Sequence, residues 1–446
     1  MRSILTSLVL VAACGAASAQ TIGPWKTDSA TMGQGYAKDV YRKLANNYSD
    51  TATGNNWTLA FQMIPQGGPS SNVAVFANHV RQNVGVYSLH YQASAKFATL
   101  TAADTVGRTS QPLYNSVESW ATGALNQMAS PSNLFDYGWG AYNMTSHNVV
   151  GDSLYLLKTA SGDYKLWVQK YVSNPIDSIR YEFRIAKFDG SGDQTVKIYR
   201  KDGFTNSLFG YYNATDNSIL NREPGRDNWE LAFTRYVEEV TMVGITMMSP
   251  VMGVLTNVGV TVAEVTNPDA DAAAAGYASQ SYSDNINTIG YDWKQQPTDS
   301  SGRPTGPFMT DTAKTYLIKS GISGKYYQLV FTGFTGTSAG KTVYKYRELG
   351  NIPQAVSNVE EAVTAFMLVP NPTAGETQVM LDVKQGGTAR LLVTDAMGRT
   401  VKNSTLQLNT GLNGYNVSLG HAAAGTYFVT VTNGSWSKTA QLLIQK

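Results

Sequence analysis

The amino-acid sequence predicts an all-β protein with two tandem antiparallel β domains and a small C-terminal β-sandwich. The first indication is the composition: only 15% of the 446 residues are charged, while 41 are Gly and 26 are Tyr, which is typical of strands and polar turns. The second is the alternation of apolar and polar residues in several segments, which is the period of a strand. The third is that one ordered set of motifs occurs twice.

The charge balance and the single cysteine exclude several classes of protein. The 34 Lys and Arg residues against 32 Asp and Glu leave a formal charge of +2, so no basic field for nucleic acid is predicted. Cys14 is the one cysteine of the sequence, which excludes an intrachain disulfide framework and a cysteine-ligated metal cluster.

Residues 1–19 have the organisation of a secretory signal peptide. A positively charged start precedes an apolar stretch over residues 4–13, and a small-residue site predicts cleavage between Ala19 and Gln20. An alternative interpretation takes Cys14 as the lipidated cysteine of a bacterial lipoprotein box. No later stretch approaches about 18 uninterrupted apolar residues, so no transmembrane segment is predicted.

Six short motifs occur twice in the same order, which predicts a tandem duplication of one domain. The first copy contains YRK at 41–43, NWTLAF at 56–61, NVGV at 83–86, YGW at 137–139, YLLK at 155–158 and YEFR at 181–184. The second copy contains YRK at 199–201, NWELAF at 228–233, NVGV at 257–260, YDW at 291–293, YLIK at 316–319 and YKYR at 344–347. The offsets of 154 to 174 residues are far longer than the period of a solenoid, so we expect each copy to have its own core. The predicted domains are 20–190 and 194–350, followed by a linker at 351–365.

Each copy is predicted to end in a β-hairpin. Residues 179–185 alternate apolar and polar side chains without a break, which places Ile179, Tyr181, Phe183 and Ile185 on one face of a strand. Another strand-like segment precedes it across a turn, and the second copy repeats this arrangement. Paired strands of this kind favour antiparallel sheets over crossover helices.

Residues 366–446 have the pattern of a separate small β-sandwich, with short alternating strands between glycine and asparagine turns. This segment closely resembles the type A C-terminal sorting domain of the type IX secretion system of Bacteroidetes. The residues that carry the resemblance are Pro370, Asn371, Pro372, Gly398, Gly411, Gly425, Tyr427 and Lys446. An ordinary adhesive sandwich of the fibronectin type would not need the Pro-Asn-Pro segment or the terminal lysine.

The sorting-domain resemblance implies how the protein is exported, but not what activity it has. It implies export to the medium or to the outer-membrane surface of a Bacteroidetes-type bacterium, with the type IX secretion machinery as a partner. Family members usually lose this module by cleavage, and the cargo is then released or tethered. The functional residues are therefore expected between residue 20 and about residue 350.

Each copy also resembles, more loosely, the HmuY family of secreted haem-capturing β-proteins. The resemblance rests on the NWxLAF strand at 56–61 and 228–233 and on the YLxK segment at 155–158 and 316–319. The family normally has a single domain, so the tandem arrangement is a departure. The resemblance implies haem binding, which needs axial His or Met ligands, aromatic walls and cations for the propionates.

The candidate haem ligands all lie in the first copy. They are His147, Met144, Met128 and His90, with His79 as a further histidine. His147 and Met144 share one polar segment, whereas His90 alternates with apolar residues as on a strand face, which favours a structural role. The second copy has no histidine, and its methionine-rich run at 241–252 is more typical of a core or an interface. Haem would therefore be bound by two His, or by His and Met, in the first copy.

No enzyme is predicted. The Gly-x-Ser-x-Gly pattern at 336–340 lies in a predicted hairpin loop instead of the strand-to-helix turn of a hydrolase, and no zinc-protease motif or phosphate-binding glycine loop occurs. Trp57 and Trp229, like Trp139 and Trp293, could stack on sugars, but their recurrence favours core packing. The sequence thus predicts a non-enzymatic binding protein with haem as the leading ligand and no other metal or cofactor. The alternative is an adhesive or structural surface protein without a cofactor.

Overall fold

The computed structural model describes residues 22–63, 73–133, 135–173, 179–242, 244–303, 305–352, 362–433 and 436–445. The predicted signal peptide, with Cys14 and the Ala19–Gln20 cleavage site, lies outside these ranges, as does Lys446. The described residues form antiparallel sheets, which confirms the all-β prediction. None of the helices in the described ranges has the length and hydropathy that a membrane span needs.

Twenty-two strands precede the C-terminal module in the described chain. Those as far as residue 220 are β1 (Lys26–Thr31), β2 (Lys38–Lys43), β3 (Tyr48–Thr53), β4 (Leu59–Gln62), β5 (Val75–Ala77), β6 (Gly85–Gln92), β7 (Gly140–Asn143), β8 (Asn148–Gly151), β9 (Ser153–Thr159), β10 (Gly162–Val172), β11 (Arg180–Lys187), β12 (Gln194–Tyr199), β13 (Phe209–Asn213) and β14 (Ser218–Leu220). The others are β15 (Leu231–Met242), β16 (Ile245–Thr256), β17 (Val260–Thr266), β18 (Lys294–Gln295), β19 (Met309–Thr310), β20 (Lys314–Ser320), β21 (Lys325–Phe334) and β22 (Lys341–Asn351).

Helical structure is limited to single turns in the described ranges. The α-helical turns are α1 (Ala93–Lys96) and α2 (Ala270–Ala273). The 3₁₀ turns are Gln34–Tyr36, Phe97–Thr99, Ala102–Thr105, Ala124–Asn126, Arg226–Asn228, Tyr277–Ser279 and Gly336–Ser338.

The strands build two domains with the same strand order. The outer sheet of the first domain runs β12-β11-β10-β9-β6, with the β7–β8 hairpin added at the far end of β10, and its inner sheet runs β14-β13-β4-β5. The second domain repeats this order as β1-β22-β21-β20-β17 and β3-β2-β15-β16. The predicted closing hairpins are β10–β11 and β21–β22, and Ile179, Tyr181, Phe183 and Ile185 all lie in the core of the first domain.

The sheets cross the domain boundary that the motif repeat predicts at residues 190–194. Strands β1 and β2, from the first copy, pair with β22 and β15 of the second. Strands β12 and β13, from the second copy, pair with β11 and β4 of the first. The first folded domain therefore spans about 55–222, and the second combines about 23–54 with 223–352. The physical reason is the short turn between β11 and β12, because pairing these two consecutive strands closes a smaller loop than pairing β11 with β1. The N-terminal strands β1–β3 then occupy the equivalent edges of the second domain.

The two inner sheets pack against each other, so the domains form four successive sheet layers. Leu59 and Phe61 of β4 point into the core of the first domain, while Ala60 between them points into the interface between the domains. In that interface the Trp229 indole packs edge-on against Tyr41, with 5.2 Å between ring centroids. Trp139, Trp229 and Trp293 are fully buried, as expected for core residues, whereas Trp57 is only partly buried.

The described residues of the C-terminal module form a seven-stranded sandwich with its own core. Its strands are β23 (Val363–Val369), β24 (Glu376–Val383), β25 (Gly387–Asp395), β26 (Thr400–Leu408), β27 (Gly411–Ser418), β28 (Gly425–Thr432) and β29 (Ser437–Ile444). The sheets are β23-β24-β27 and β26-β25-β28-β29. Val363 is buried in this core, so the module begins three residues before the predicted start at 366 and inside the predicted linker.

Several residues of the sorting-domain motif make hydrogen bonds or occupy turns in the module. Asn371, between Pro370 and Pro372, donates from Nδ2 to the Gln441 carbonyl and accepts from the Leu443 N–H, which ties this turn to β29. Gly398 and Gly411 occupy turns with φ of 79° and 93°, a region that glycine enters without a steric penalty. Gly425 begins β28, and the Tyr427 hydroxyl donates to the Ala423 carbonyl.

Candidate ligand cavity of the first domain

A cavity of about 790 Å³ opens at one end of the first domain, beside the C-terminal module. Its first-domain wall combines aromatic, aliphatic and cationic side chains. These are Val73, Tyr137, Tyr142, His147, Val149, Tyr171, Ser173, Ile179 and Arg200. Arg226, which follows the last strand of that domain, also lines the cavity.

The β7–β8 hairpin brings the polar groups of this wall together. Its turn places His147 in the left-handed region, with φ of 56°, and the His147 N–H donates to the Asn143 carbonyl. The Tyr142 hydroxyl lies 2.9 Å from His147 Nδ1. Ser173 Oγ donates to the His147 carbonyl at 2.7 Å, which ties the turn to the end of β10.

The remaining first-domain wall is largely apolar. Strand β8 pairs with β10 so that Val149 lies opposite Tyr171. Burial raises the pKa of Tyr137, Tyr142 and Tyr171 above the usual value, so these phenols are neutral at pH 7. A large planar ligand would meet aromatic and aliphatic surface on this side.

Arg200 supplies a cation at the edge of the cavity. Its Nη2 donates to the Thr205 carbonyl at 3.0 Å. Its Nε is buried and has no hydrogen-bond partner among the described residues. Because Arg200 lines the cavity, its guanidinium places a positive charge beside an acidic group of a ligand.

The C-terminal module forms the opposite wall. The residues from the module are Thr364, Asp382, Val383, Lys384, Gln407, Asn409, Thr410, Gly411, Leu412, Asn413, Gly414 and Tyr415. Burial raises the pKa of the Asp382 carboxyl, and the charge of Asp382 contributes to the raised pKa of Tyr171. The module therefore approaches the first domain closely at this point.

The four candidate haem ligands do not converge. His147 lines the cavity at an exposed position, while Met144, in the same turn, is 43% exposed and is not part of the wall. Met128 follows the Ala124–Asn126 turn and is also 43% exposed. His90 lies in β6, as the alternation predicts, but it is exposed, and its φ of 53° falls at a β-bulge of that strand.

Sequence reasoning missed most of the cavity wall. Tyr142 lies in the polar segment that contains His147, but nothing in the sequence indicated that its hydroxyl would meet the imidazole. Arg200 is the central residue of the second YRK motif, and it reaches the first domain because β12 has joined the first domain's sheet. Both contacts depend on strand pairing that a motif does not specify.

The described residues contain no group of three or more His, Cys, Asp or Glu side chains that could hold a metal ion. The Gly-x-Ser-x-Gly segment forms a 3₁₀ turn, Gly336–Ser338, between β21 and β22. Within it, Ser338 Oγ donates to the Thr335 carbonyl. No strand-to-helix turn presents this serine.

Comparison with known proteins identifies the C-terminal module. Residues 367–445 match the family described as secretion system C-terminal sorting domain, which confirms the predicted resemblance for this module. No curated protein matches the chain.

The solved structures that resemble the chain are distant. One is dimeric latent PorU from Porphyromonas gingivalis, with 10% identity, a TM-score of 0.18, and coverage of 68% of this chain and 27% of that one. Another is the BSP domain of a biofilm associated protein, with 10% identity, a TM-score of 0.17, and coverage of 98% and 84%. The chain thus matches about a quarter of the PorU structure, and likenesses this weak carry no argument about fold or function.

Proposed function

We propose that this chain, which its C-terminal sorting domain marks as a secreted or cell-surface protein of a Bacteroidetes-type bacterium, is a non-catalytic binding protein that captures haem. Its two domains would be relatives of the HmuY family, and the type IX secretion machinery would act on the sorting domain. The haem site would be the cavity at the end of the first domain.

The observation that carries the proposal is the Tyr142–His147 pair in a cavity of about 790 Å³. Imidazole is an axial ligand of haem iron in proteins. With the imidazole proton on Nδ1, His147 donates to the neutral Tyr142 hydroxyl, and its Nε2 keeps a lone pair that can bind iron. The pair can thus supply one strong axial ligand.

The rest of the cavity supports the same ligand. Small-molecule sites in proteins typically measure roughly 300–1,000 Å³, and the apolar surface for a ligand would come from the first-domain wall. Tyr137, Tyr171 and Ile179 offer aromatic and aliphatic surface for a porphyrin face. Arg200 offers a positive charge for a propionate.

The scattered positions of Met144, Met128 and His90 argue against the ligand sets expected from the sequence. Binding by two His, or by His and Met, would need two side chains on opposite faces of the porphyrin, and these residues do not provide the second one. We therefore propose ligation from one side, by the Tyr142–His147 pair.

A haemin titration of the full chain, followed by absorbance, tests this function. We expect a saturable Soret shift that Tyr142→Phe and His147→Ala each weaken at least about tenfold, because each variant removes one member of the pair. His90→Ala is the matched control, since it removes an exposed histidine of the same domain that lies outside the cavity wall. Equal affinity in all four proteins would remove the pair from the site, and no Soret shift in either redox state would overturn haem binding.

The adhesive alternative has one observation in its favour. The β15–β16 hairpin extends past its sheet, because β15 pairs with β2 only from Leu231 to Phe233. Its outer part exposes Ile245, Met247 and Met248, at 61%, 55% and 38%. This part of the methionine-rich run is therefore free to contact another protein, and a chain that binds no haemin would fit this second function better.

A further inference from the structure

A second cleft lies between the two domains, apart from the large cavity. It has a volume of about 100 Å³, and Trp57, Phe76 and Trp120 form its aromatic walls. The Phe76 and Trp120 rings pack against each other with centroids 5.9 Å apart. Trp120 is held in place by its Nε1 donating to the Thr256 carbonyl of the second domain.

A loop that is longer in the first domain contributes to this cleft. Asn78 Nδ2 donates to the Trp57 carbonyl, and Asn257 Nδ2 donates to the Trp229 carbonyl in the same way. The Asn78 carbonyl accepts from the Val84 N–H, six positions later in the chain. The Asn257 carbonyl accepts from the Val260 N–H, which is only three positions later. The first domain therefore has three extra residues here, and His79 lies in this longer loop.

His79 lines the cleft and has an unpaired acceptor. Its Nδ1 lies 2.7 Å from the Val84 carbonyl, which can only accept, so Nδ1 carries the proton and Nε2 has a free lone pair. Nε2 is buried and has no hydrogen-bond partner among the described residues. Burial lowers the pKa of His79 to about 4, against a smaller opposing effect of the Val84 carbonyl, so the imidazole is neutral at pH 7.

The charges around the cleft do not suit a cationic ligand. Both carboxylate oxygens of the nearby Asp39 are taken, one by Arg81 at 2.8 Å and the other by Arg222 at 2.6 Å. The described residues that line the cleft include no carboxylate but do include Arg235. A neutral molecule that donates one hydrogen bond therefore fits best.

We propose that this cleft binds a single aromatic ring carrying one hydrogen-bond donor, a phenol-type ring, whose hydroxyl donates to His79 Nε2. An apolar cavity of about 150 Å³ holds benzene in an engineered protein; the cleft encloses less than that but is open on one side, so one ring at most can enter it. Such a ring can belong to a free phenol or to a tyrosine side chain of a peptide. The site is independent of haem binding.

Calorimetric titration of the full chain with p-cresol and toluene tests the proposal. The two molecules have nearly the same shape, but toluene has no donor, so we expect p-cresol to bind about tenfold more tightly. His79→Leu should abolish this difference and His79→Gln, which keeps an acceptor, should retain part of it. His90→Leu is the control for the loss of a histidine elsewhere in the domain.

The result also distinguishes the source of the ring. Binding of the tripeptide Gly-Tyr-Gly, but not Gly-Phe-Gly, would assign a tyrosine side chain, whereas binding of p-cresol alone would assign a free phenol. Equal affinity for p-cresol and toluene in the unmodified chain, or no saturable binding of either, would overturn the proposal and leave a cleft that holds water only. This comparison needs no variant, so it stands even if a His79 substitution impairs folding.

Discussion

At the scale of single residues, Glu223 is a buried acid with a defined structural task. Its Oε1 accepts from the Phe209 N–H at 2.7 Å, and its Oε2 lies 2.8 Å from the Tyr211 hydroxyl. Burial raises the pKa of Glu223 to about 7, and these hydrogen bonds and the charge of Arg222 only partly offset that rise. The folded chain therefore holds a proton on Glu223 that the unfolded chain releases near pH 4.5.

This difference predicts how stability changes with pH. Because the pKa of Glu223 is higher in the folded state, its contribution to the free energy of unfolding is fully present below about pH 4.5 and is lost as the pH rises to about 7. Glu223→Gln should remove this dependence and be more stable than the unmodified chain at pH 8 by about 1–3 kcal/mol. Urea unfolding at pH 5 and pH 8 measures the effect. Glu223→Ala, which loses both hydrogen bonds, should be less stable at both pH values, and an unchanged pH dependence in Glu223→Gln would contradict the assignment.

At the scale of elements, the sequence predicts strands well and their partners poorly. The alternation through Ile179, Tyr181, Phe183 and Ile185 indicates both the strand and its buried face, because the side-chain period of a strand is two residues. The same pattern does not say which strand lies alongside, so the exchange of β1–β3 and β12–β14 between the copies was not predictable. The candidate site shares this limit: His147 and Met144 are three positions apart in the sequence, but the contact between Tyr142 and His147 depends on how β7 and β8 pair.

The exchange of strands predicts which fragment of the chain folds. A fragment of residues 55–222 contains β4 to β14 and both sheets of the first domain, whereas residues 20–190 contain β1 without β22 and the β2–β3 hairpin without β15, and they lack β12–β14. The two fragments have nearly the same length. We expect the first to show a cooperative thermal transition by circular dichroism and the second to melt without cooperativity or to aggregate, because β4 and β11 would each lose one neighbouring strand, β13 and β12. If fragment 20–190 alone unfolded cooperatively, the strands of each copy would pair within that copy, and the exchange of strands would be wrong.

At the scale of the whole molecule, contacts between domains hold residues from distant parts of the sequence. Asp39 of β2 pairs with Arg81 of the long loop and with Arg222 after β14. The Thr234 hydroxyl of β15 also donates to Asp39, at 2.6 Å. These buried polar contacts, together with the Trp229 cluster, join the inner sheets, so the cargo folds as one four-layered body and the C-terminal module stands outside it with a separate core.

The position of that module predicts a dependence of haem capture on the sorting domain. The module supplies one wall of the large cavity, including Tyr415, so it narrows the opening through which haemin enters. We therefore expect the association rate to be about tenfold lower than in a chain ending at residue 352. Stopped-flow absorbance at the Soret band measures both rates.

Two substitutions within the full chain test whether the wall residues of the module, and not the mere presence of the module, slow the association of haemin. Tyr415→Ala should raise the association rate toward that of the shortened chain, because it removes a side chain of the wall. Phe428→Ala, at an exposed position of the module that does not line the cavity, should leave the rate unchanged. Equal rates for the full and shortened chains would mean that the module does not gate the cavity. Absence of a Soret shift in both would instead count against haem binding itself, because the shortened chain keeps the Tyr142–His147 pair and Arg200.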